Sequence, residues 1–177
     1  MKKIVSRILV VLLIAATVLT AAGCKKDKSG APKDMVSAAD PLASFYLYVP
    51  EKWTVDYTEG TGGAYFSADD PSSVFVSAWD MPNTDSTIED WWNTNLIDLE
   101  RVFSDITIVS EDTTVVDGLE AKSYTYTASI GEFSYKFMQV ACLKDGAVYL
   151  FTYSSQHEQF DSHMGDVEKM LEYFTIK

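Results

Sequence analysis

The sequence predicts an α+β domain, an antiparallel β-sheet covered by helices on both faces in an α/β/α sandwich. Three observations carry that reading. Short apolar runs of period two are separated by turn residues, most clearly at Asp117-Gly118, Ile130-Gly131-Glu132 and Lys144-Asp145-Gly146. Two segments, 86–103 and 155–174, switch to the 3.6-residue period of an amphipathic helix. The runs 133–143 and 147–153 are apolar at odd and even positions alike, so both faces of their strands need cover. A chain of 177 residues is long enough for one domain of ordinary size and too short for two well-cored ones.

The first 23 residues read as an address. Lys2, Lys3 and Arg7 precede an uncharged run from Ile8 to Gly23, short of the roughly 20 residues that a permanent membrane span needs. Ala21, Ala22 and Gly23 lead directly into Cys24. This resembles the lipobox of bacterial lipoproteins, with Ala21 where leucine is commonest. The resemblance implies a diacylglycerol on the Cys24 thiol, cleavage just before it, and a chain held to the extracytoplasmic face of the cell membrane, since each buried CH₂ contributes ~0.8 kcal/mol. Residues 24–43 carry Lys25, Lys26, Lys28 and Lys33 among small and polar residues with no period, and read as a lipidated cysteine followed by a flexible tether.

The globular domain is expected over 44–177. FYLYVP forms a strand stopped by Pro50, and WTVDY a second, with Trp53 and Val55 on one face. Glycines near 59–63 turn the chain into AYFSA, and ADDPSS turns it into VFVSAWD, which completes a four-strand meander. Ser86 or Thr87 caps the first helix, with Glu89 or Asp90 closing a capping box. Its apolar stripe is Ile88, Trp92, Leu96, Leu99, Val102 and Phe103; Trp91 lies at the stripe's edge and Ile97 points away. Long hairpin strands follow. The second helix is capped by Ser155, with the stripe Phe160, Met164, Val167, Leu171 and Phe174, and Gly165 weakens its first turns.

FYLYVPEKWTV and the closing Leu171-Glu172-Tyr173-Phe174 helix resemble PsbP-like domains. That fold is shared by a photosystem extrinsic subunit, a Ran-binding protein and many bacterial lipoproteins. The resemblance covers about 44–177 and rests on packing motifs without a shared active site. It implies the fold and a domain that is not an enzyme. Binding to a photosystem is not implied, because nothing here matches the charged binding residues of that subunit.

Composition excludes several classes. From residue 40 onward seven Lys+Arg face 24 Asp+Glu, a net charge of −17, which excludes a generic nucleic-acid binder. Two cysteines cannot build a multi-bridge scaffold, and Cys142, in a strand apolar on both faces, reads as an inert core thiol. His157 and His163 are six apart and read as surface or rim residues that cannot converge on one metal or one serine. No cofactor motif occurs. The weak metal candidates are Asp69, Asp70 and Asp80, hard oxygen donors flanking one hairpin, but without an EF-hand loop. For ligand binding, Trp91 is expected as an exposed aromatic, and Tyr57 and Tyr65 flank the glycine-rich loop. Trp53, Trp79 and Trp92 are expected to face inward. The sequence thus points to a membrane-anchored binding or scaffold domain with a protein, envelope component or small ligand as partner. The alternative is a metal-assisted hydrolase or calcium-binding protein using the acidic turns.

Overall fold

The computed structural model describes residues 30–57, 62–81, 83, 85–103 and 105–177. Cys24 and the apolar run before it lie outside the described residues. Among the described ones no helix is long and apolar enough to cross a membrane.

The framework is a seven-stranded antiparallel sheet. Strands β1 (Met35–Ser37), β2 (Phe45–Tyr46) and β3 (Tyr48–Pro50) precede it in the chain; β4 (Thr54–Val55), β5 (Gly62–Tyr65) and β6 (Ser73–Asp80) enter it. Helix α1 (Ile88–Val102) intervenes. The long strands β7 (Thr107–Val116), β8 (Leu119–Ile130), β9 (Phe133–Lys144) and β10 (Ala147–Gln156) complete it in the order β4-β5-β6-β10-β9-β8-β7. A 3₁₀ turn (Phe160–His163), helix α2 (Met164–Tyr173) and β11 (Thr175–Ile176) end the chain. The insertion of β10 between β6 and β9 joins the short-strand half to the long hairpins through eight paired positions, Ser73–Asp80 against Ala147–Ser154.

The hairpins follow from their turns. Asp117 (φ 52°) with Gly118 (φ 80°), and Asp145 (φ 52°) with Gly146 (φ 81°), are two-residue loops in which both residues take positive φ. That conformation matches the right-handed strand twist, and Asp-Gly tolerates it. Helix α1 starts as its sequence predicts. Thr87 Oγ1 accepts from the Asp90 backbone N–H at 3.1 Å, and Asp90 Oδ2 accepts from the Thr87 N–H at 2.9 Å, a reciprocal capping box.

Two hydrophobic clusters lie on opposite sides of the long strands. Trp91 and Trp92 of α1 pack with Tyr124, Tyr126, Phe137, Ala141, Val148 and Leu150. The alternate residues of the same strands, Met138, Val140, Cys142, Tyr149, Phe151 and Tyr153, pack with Val167 and Met170 of α2. Helical cover is nevertheless thinner than the expected sandwich. On the α2 side much of the cover is irregular chain and short strands, including Phe45, Leu47, Val49 and Trp53.

Several sequence expectations are corrected. The folded unit begins before residue 44: Met35–Ser37 pairs with Tyr48–Pro50, and Met35, Ala38, Ala39 and Ala43 are buried, so only the earlier part of 24–43 is left for a tether. FYLYVP is not one strand; β2 pairs with β11, β3 pairs with β1, and neither belongs to the main sheet. Val102, the last residue of α1, is 74% exposed, and the chain leaves the helix at Phe103 with extended backbone. Ser155 does not cap a helix. It is the penultimate residue of β10, and the chain enters α2 through the 3₁₀ turn.

Trp92 stacks on Tyr124 with ring centroids 3.9 Å apart and planes 8° from parallel. Trp92→Ala is expected to cost about 3–5 kcal/mol in urea unfolding, whereas Ile97→Ala on the exposed side of α1 changes stability by less than about 0.5 kcal/mol.

Candidate functional site

A concavity carrying aromatic and charged groups lies between α1 and the end of β6. It is a cleft of about 400 Å³ lined by Trp79 and Met81 from β6 and the residue after it, Asn83 and Ser86 from the connection, and Asp90, Trp91, Thr94, Asn95 and Asp98 from α1. Asp90, Thr94 and Asp98 recur at four-residue spacing and form one stripe of the helix; Trp91, Asn95 and Asp98 form the adjoining one. Trp79 projects from the α1 face of the sheet, opposite Val148 in the register.

The two tryptophans exchange their expected roles. Trp91 is 7% exposed, wedged between Trp79 (centroids 6.0 Å) and Trp92 (6.3 Å). Trp79, expected inside, is 39% exposed at the penultimate position of β6, beside Trp91 at the margin of α1. The aromatic ligand candidate is therefore Trp79 supported by Trp91. Tyr57 and Tyr65 are also exposed, but neither lines this cleft; Tyr65 borders a dent of about 60 Å³ with Asp56 and Phe75.

Both carboxylates of the cleft are anchored. The Thr87 backbone N–H and hydroxyl donate to Asp90 and hold its carboxyl below the usual carboxylate range. Asp98 pairs with Arg101 at 2.7 Å, with both side chains largely in water. Beneath them the Asn95 amide donates to Gln139 Oε1 at 3.1 Å, a polar tie between α1 and the otherwise apolar sheet face.

A second polar cluster is closed. His163, expected at the surface, is 6% exposed, and its Nε2 lies 2.7 Å from Asp70 Oδ2. The ring packs against Phe66 and Trp53. Ser72 donates to Asp70 Oδ1 at 2.6 Å from its hydroxyl and 3.0 Å from its backbone, and the Ser72 and Ser155 hydroxyls are 2.7 Å apart. Partial burial pushes the Asp70 carboxyl up, but the hydrogen bonds from Ser72 and His163 outweigh it, and the net lies below the usual range. An ionised carboxylate only accepts, so His163 Nε2 is the donor. The serine here bonds the carboxylate and not the imidazole, so the group differs from a nucleophilic triad, in which the base faces the hydroxyl. It pins the 67–73 turn to the start of α2.

The metal candidates separate accordingly. Asp70 is consumed by His163, Asp69 lies exposed in the turn, and Asp80 sits at the far end of β6 beside Ala147. Among the described residues no three His, Cys, Asp or Glu side chains gather as a metal would require. Cys142 is buried, and desolvation with the nearby Asp117 charge pushes its thiol to about 11. His163 and the Trp79–Trp91 pair are what sequence reasoning missed. The signal for His163 was weak, a six-residue gap from His157; for Trp79 it lay in the position of β6 near a sheet edge, which periodicity does not report.

No family model matches the chain, and no curated protein matches its sequence. Solved structures do match its shape. Cyanobacterial PsbP from Synechocystis superposes with a TM-score of 0.60 at 14% identity, over 84% of this chain and 96% of that one. The chain has the PsbP-like fold. LpqN, a Mycobacterium tuberculosis protein involved in cell envelope biogenesis, shares this PsbP-like fold at TM-score 0.53 and 13% identity, over 81% of this chain and 91% of its own. So does the Ran-binding protein Mog1p of Saccharomyces cerevisiae, at 0.53 and 11%, over 80% and 96%. Such identities carry the PsbP-like architecture and no residue roles.

Because its folded-state pKa is depressed, Asp70 contributes stability above its unfolded value near about pH 4, and that contribution is lost as pH falls through the folded value. Asp70→Asn should lower stability at neutral pH by about 1–3 kcal/mol, with the gap from the parent protein closing under acid conditions in urea midpoints. In a Cys24→Ser chain, Cys142 should resist thiol reagents until denaturant is added, because the buried, protonated thiol is a poor nucleophile.

Proposed function

We propose that this chain is a membrane-anchored extracytoplasmic lipoprotein whose PsbP-like domain binds a ligand or partner without catalysing a reaction. The observation that carries the binding half is the Trp79–Trp91 cleft: a half-exposed indole braced by a buried one, inside a concavity of about 400 Å³ with polar side chains around it. Tryptophan is the side chain that contributes most often to binding hot spots when it sits in a formed pocket. The groups best placed for acid–base work are committed elsewhere, Asp90 to the helix cap and Asp98 to Arg101. Asp90, held below the usual carboxylate range by Thr87, is a weak proton donor or acceptor at physiological pH. That the fold is shared with a Ran-binding protein and with a protein of cell envelope biogenesis supports a binding role at the envelope.

The anchoring half rests on the basic start, the uncharged run and the small residues before Cys24. The net charge of −17 from residue 40 onward would hold the domain off an anionic lipid surface while the lysines before it sit close to that surface.

Two measurements test the halves separately. Labelled palmitate should incorporate into the full chain and vanish in Cys24→Ser, which should also leave the membrane fraction; label persisting in that variant overturns the anchoring. Crosslinked capture from the native envelope should lose its specific partner in Trp79→Ala at unchanged stability; equal capture overturns the cleft as the binding site.

A further inference from the structure

We infer that the Trp79–Trp91 cleft takes an organic cation, an ammonium group on a small apolar body, seated on the Trp79 ring and neutralised by Asp90 and Asp98. This rests on the binding reading above and names the chemistry of the ligand.

Three features select a cation. The first is the ring. An indole face carries the strongest negative quadrupole among the side chains, and Trp79 is 39% exposed, with the buried Trp91 ring 6.0 Å away and tilted 49° to it. The second is the sign of the lining. Its charged residues are Asp90 and Asp98, and it contains no lysine or arginine. Asp90 stays ionised because Thr87 donates to it twice. Asp98 is held by Arg101 only through a solvent-exposed pair, the kind whose net strength is small, so an incoming ammonium can compete for it. The third is the surrounding field: the strongly acidic domain raises the local concentration of cations and repels anions. A phosphate or uronate in this cleft would meet two carboxylates, with Arg101, already paired to Asp98, as the neighbouring cation.

The remaining lining, Met81, Ser86, Asn83, Thr94 and Asn95, supplies an apolar contact and neutral hydrogen-bonding groups for the body of the ligand. A neutral sugar could use the same ring and amides and donate hydroxyls to the carboxylates, but it brings no positive charge for them to neutralise. Charge is therefore the property that separates the two.

The test uses the full chain, isotope-labelled, in a non-ionic polyoxyethylene detergent, reading the indole N–H resonances. Trp53, whose Nε1 donates to Asp166 at 2.9 Å in the other hydrophobic cluster, is the internal control. Choline is compared with its uncharged isostere 3,3-dimethylbutan-1-ol, and Nα-acetyl-lysine methylamide with the norleucine analogue; cellobiose represents neutral sugars. The cations should shift Trp79 and Trp91 but not Trp53, and bind about five-fold or more tightly than their isosteres. Raising salt from about 20 to about 300 mM should narrow that preference. Asp98→Asn should weaken the cations alone, and Trp79→Leu should remove the preference while the Trp53 and Trp92 resonances stay in place. Binding of choline alone supports a free amine as the source, and binding of the lysine derivative alone a partner's side chain. Isosteres that match the cations, or cations that leave Trp79 unmoved, overturn the inference. Cellobiose binding without cation binding does so too, yet leaves the binding reading standing. That reading falls separately, on undiminished envelope capture by Trp79→Ala.

Discussion

The structure depends on one constraint: β9 and β10, at the centre of the sheet, are apolar on both faces. Each strand must be enclosed from above and below, and the chain meets that demand with different material on each side, α1 on one and α2 with the N-terminal strands on the other. A strand with one wet face is held in register by polarity, since a one-residue slip would bury its polar side. A strand apolar on both faces lacks that safeguard. Here register is set by the two-residue Asp145-Gly146 turn, whose positive φ values fix the pairing of Ala147 with Lys144, and by shape, with Ala141 paired to Leu150 and Cys142 to Tyr149. Gln139 and Thr152, paired with each other, place buried polar groups on the α1 side. The Asn95 amide of the helix donates to Gln139 Oε1, which gives α1 a fixed seat on this largely apolar face.

That seat determines where the cleft opens. Helix α1 is fifteen residues long and centres its tryptophans on β8, β9 and β10, so its cover stops short of β6. Trp79 is thus left at the boundary between covered and uncovered sheet, with the polar stripe of α1 as the facing wall. Asp90, which closes the capping box on Thr87, is also one of the charges that line the cleft. Local folding and the electrostatics of the cavity are therefore set together.

What the sequence made legible follows from how far apart the interacting residues lie. The hairpins from 107 to 156 and the capping box at Thr87 are local, with partners within a few residues or across a two-residue turn, and periodicity with turn chemistry found them. The two-sided strands announced the need for cover on both faces. Misreadings cluster where the deciding partner is distant. Met35 reads as tether until Pro50 pairs with it; His163 reads as surface until Asp70, 93 residues earlier, reaches it. Ser155 has the spacing of a cap but pairs with Ser72, 83 residues away. Trp91 and Trp79 were exchanged because helical projection locates a stripe but not how far the sheet beneath it extends.

The short strands at the ends of the chain have a mechanical meaning. Residues 35–37 are stitched to β3, β2 is stitched to β11, and the last side chain, Lys177, reaches back to the Ala43 carbonyl at 2.7 Å. The two ends of the described chain are therefore fastened to each other's neighbours, and the N-terminal one also to β5 through the Ala39–Gly62 bridge. A pull applied at the N-terminal end reaches β1 first, where three pairs oppose it, and then the two-pair clasp of β2 with β11. These clasps are not separable from the core: Ala39 bridges Gly62 of β5, and Phe45 and Leu47 are buried in the cluster that covers β9 and β10, so the contacts that hold the ends also close that face of the sheet.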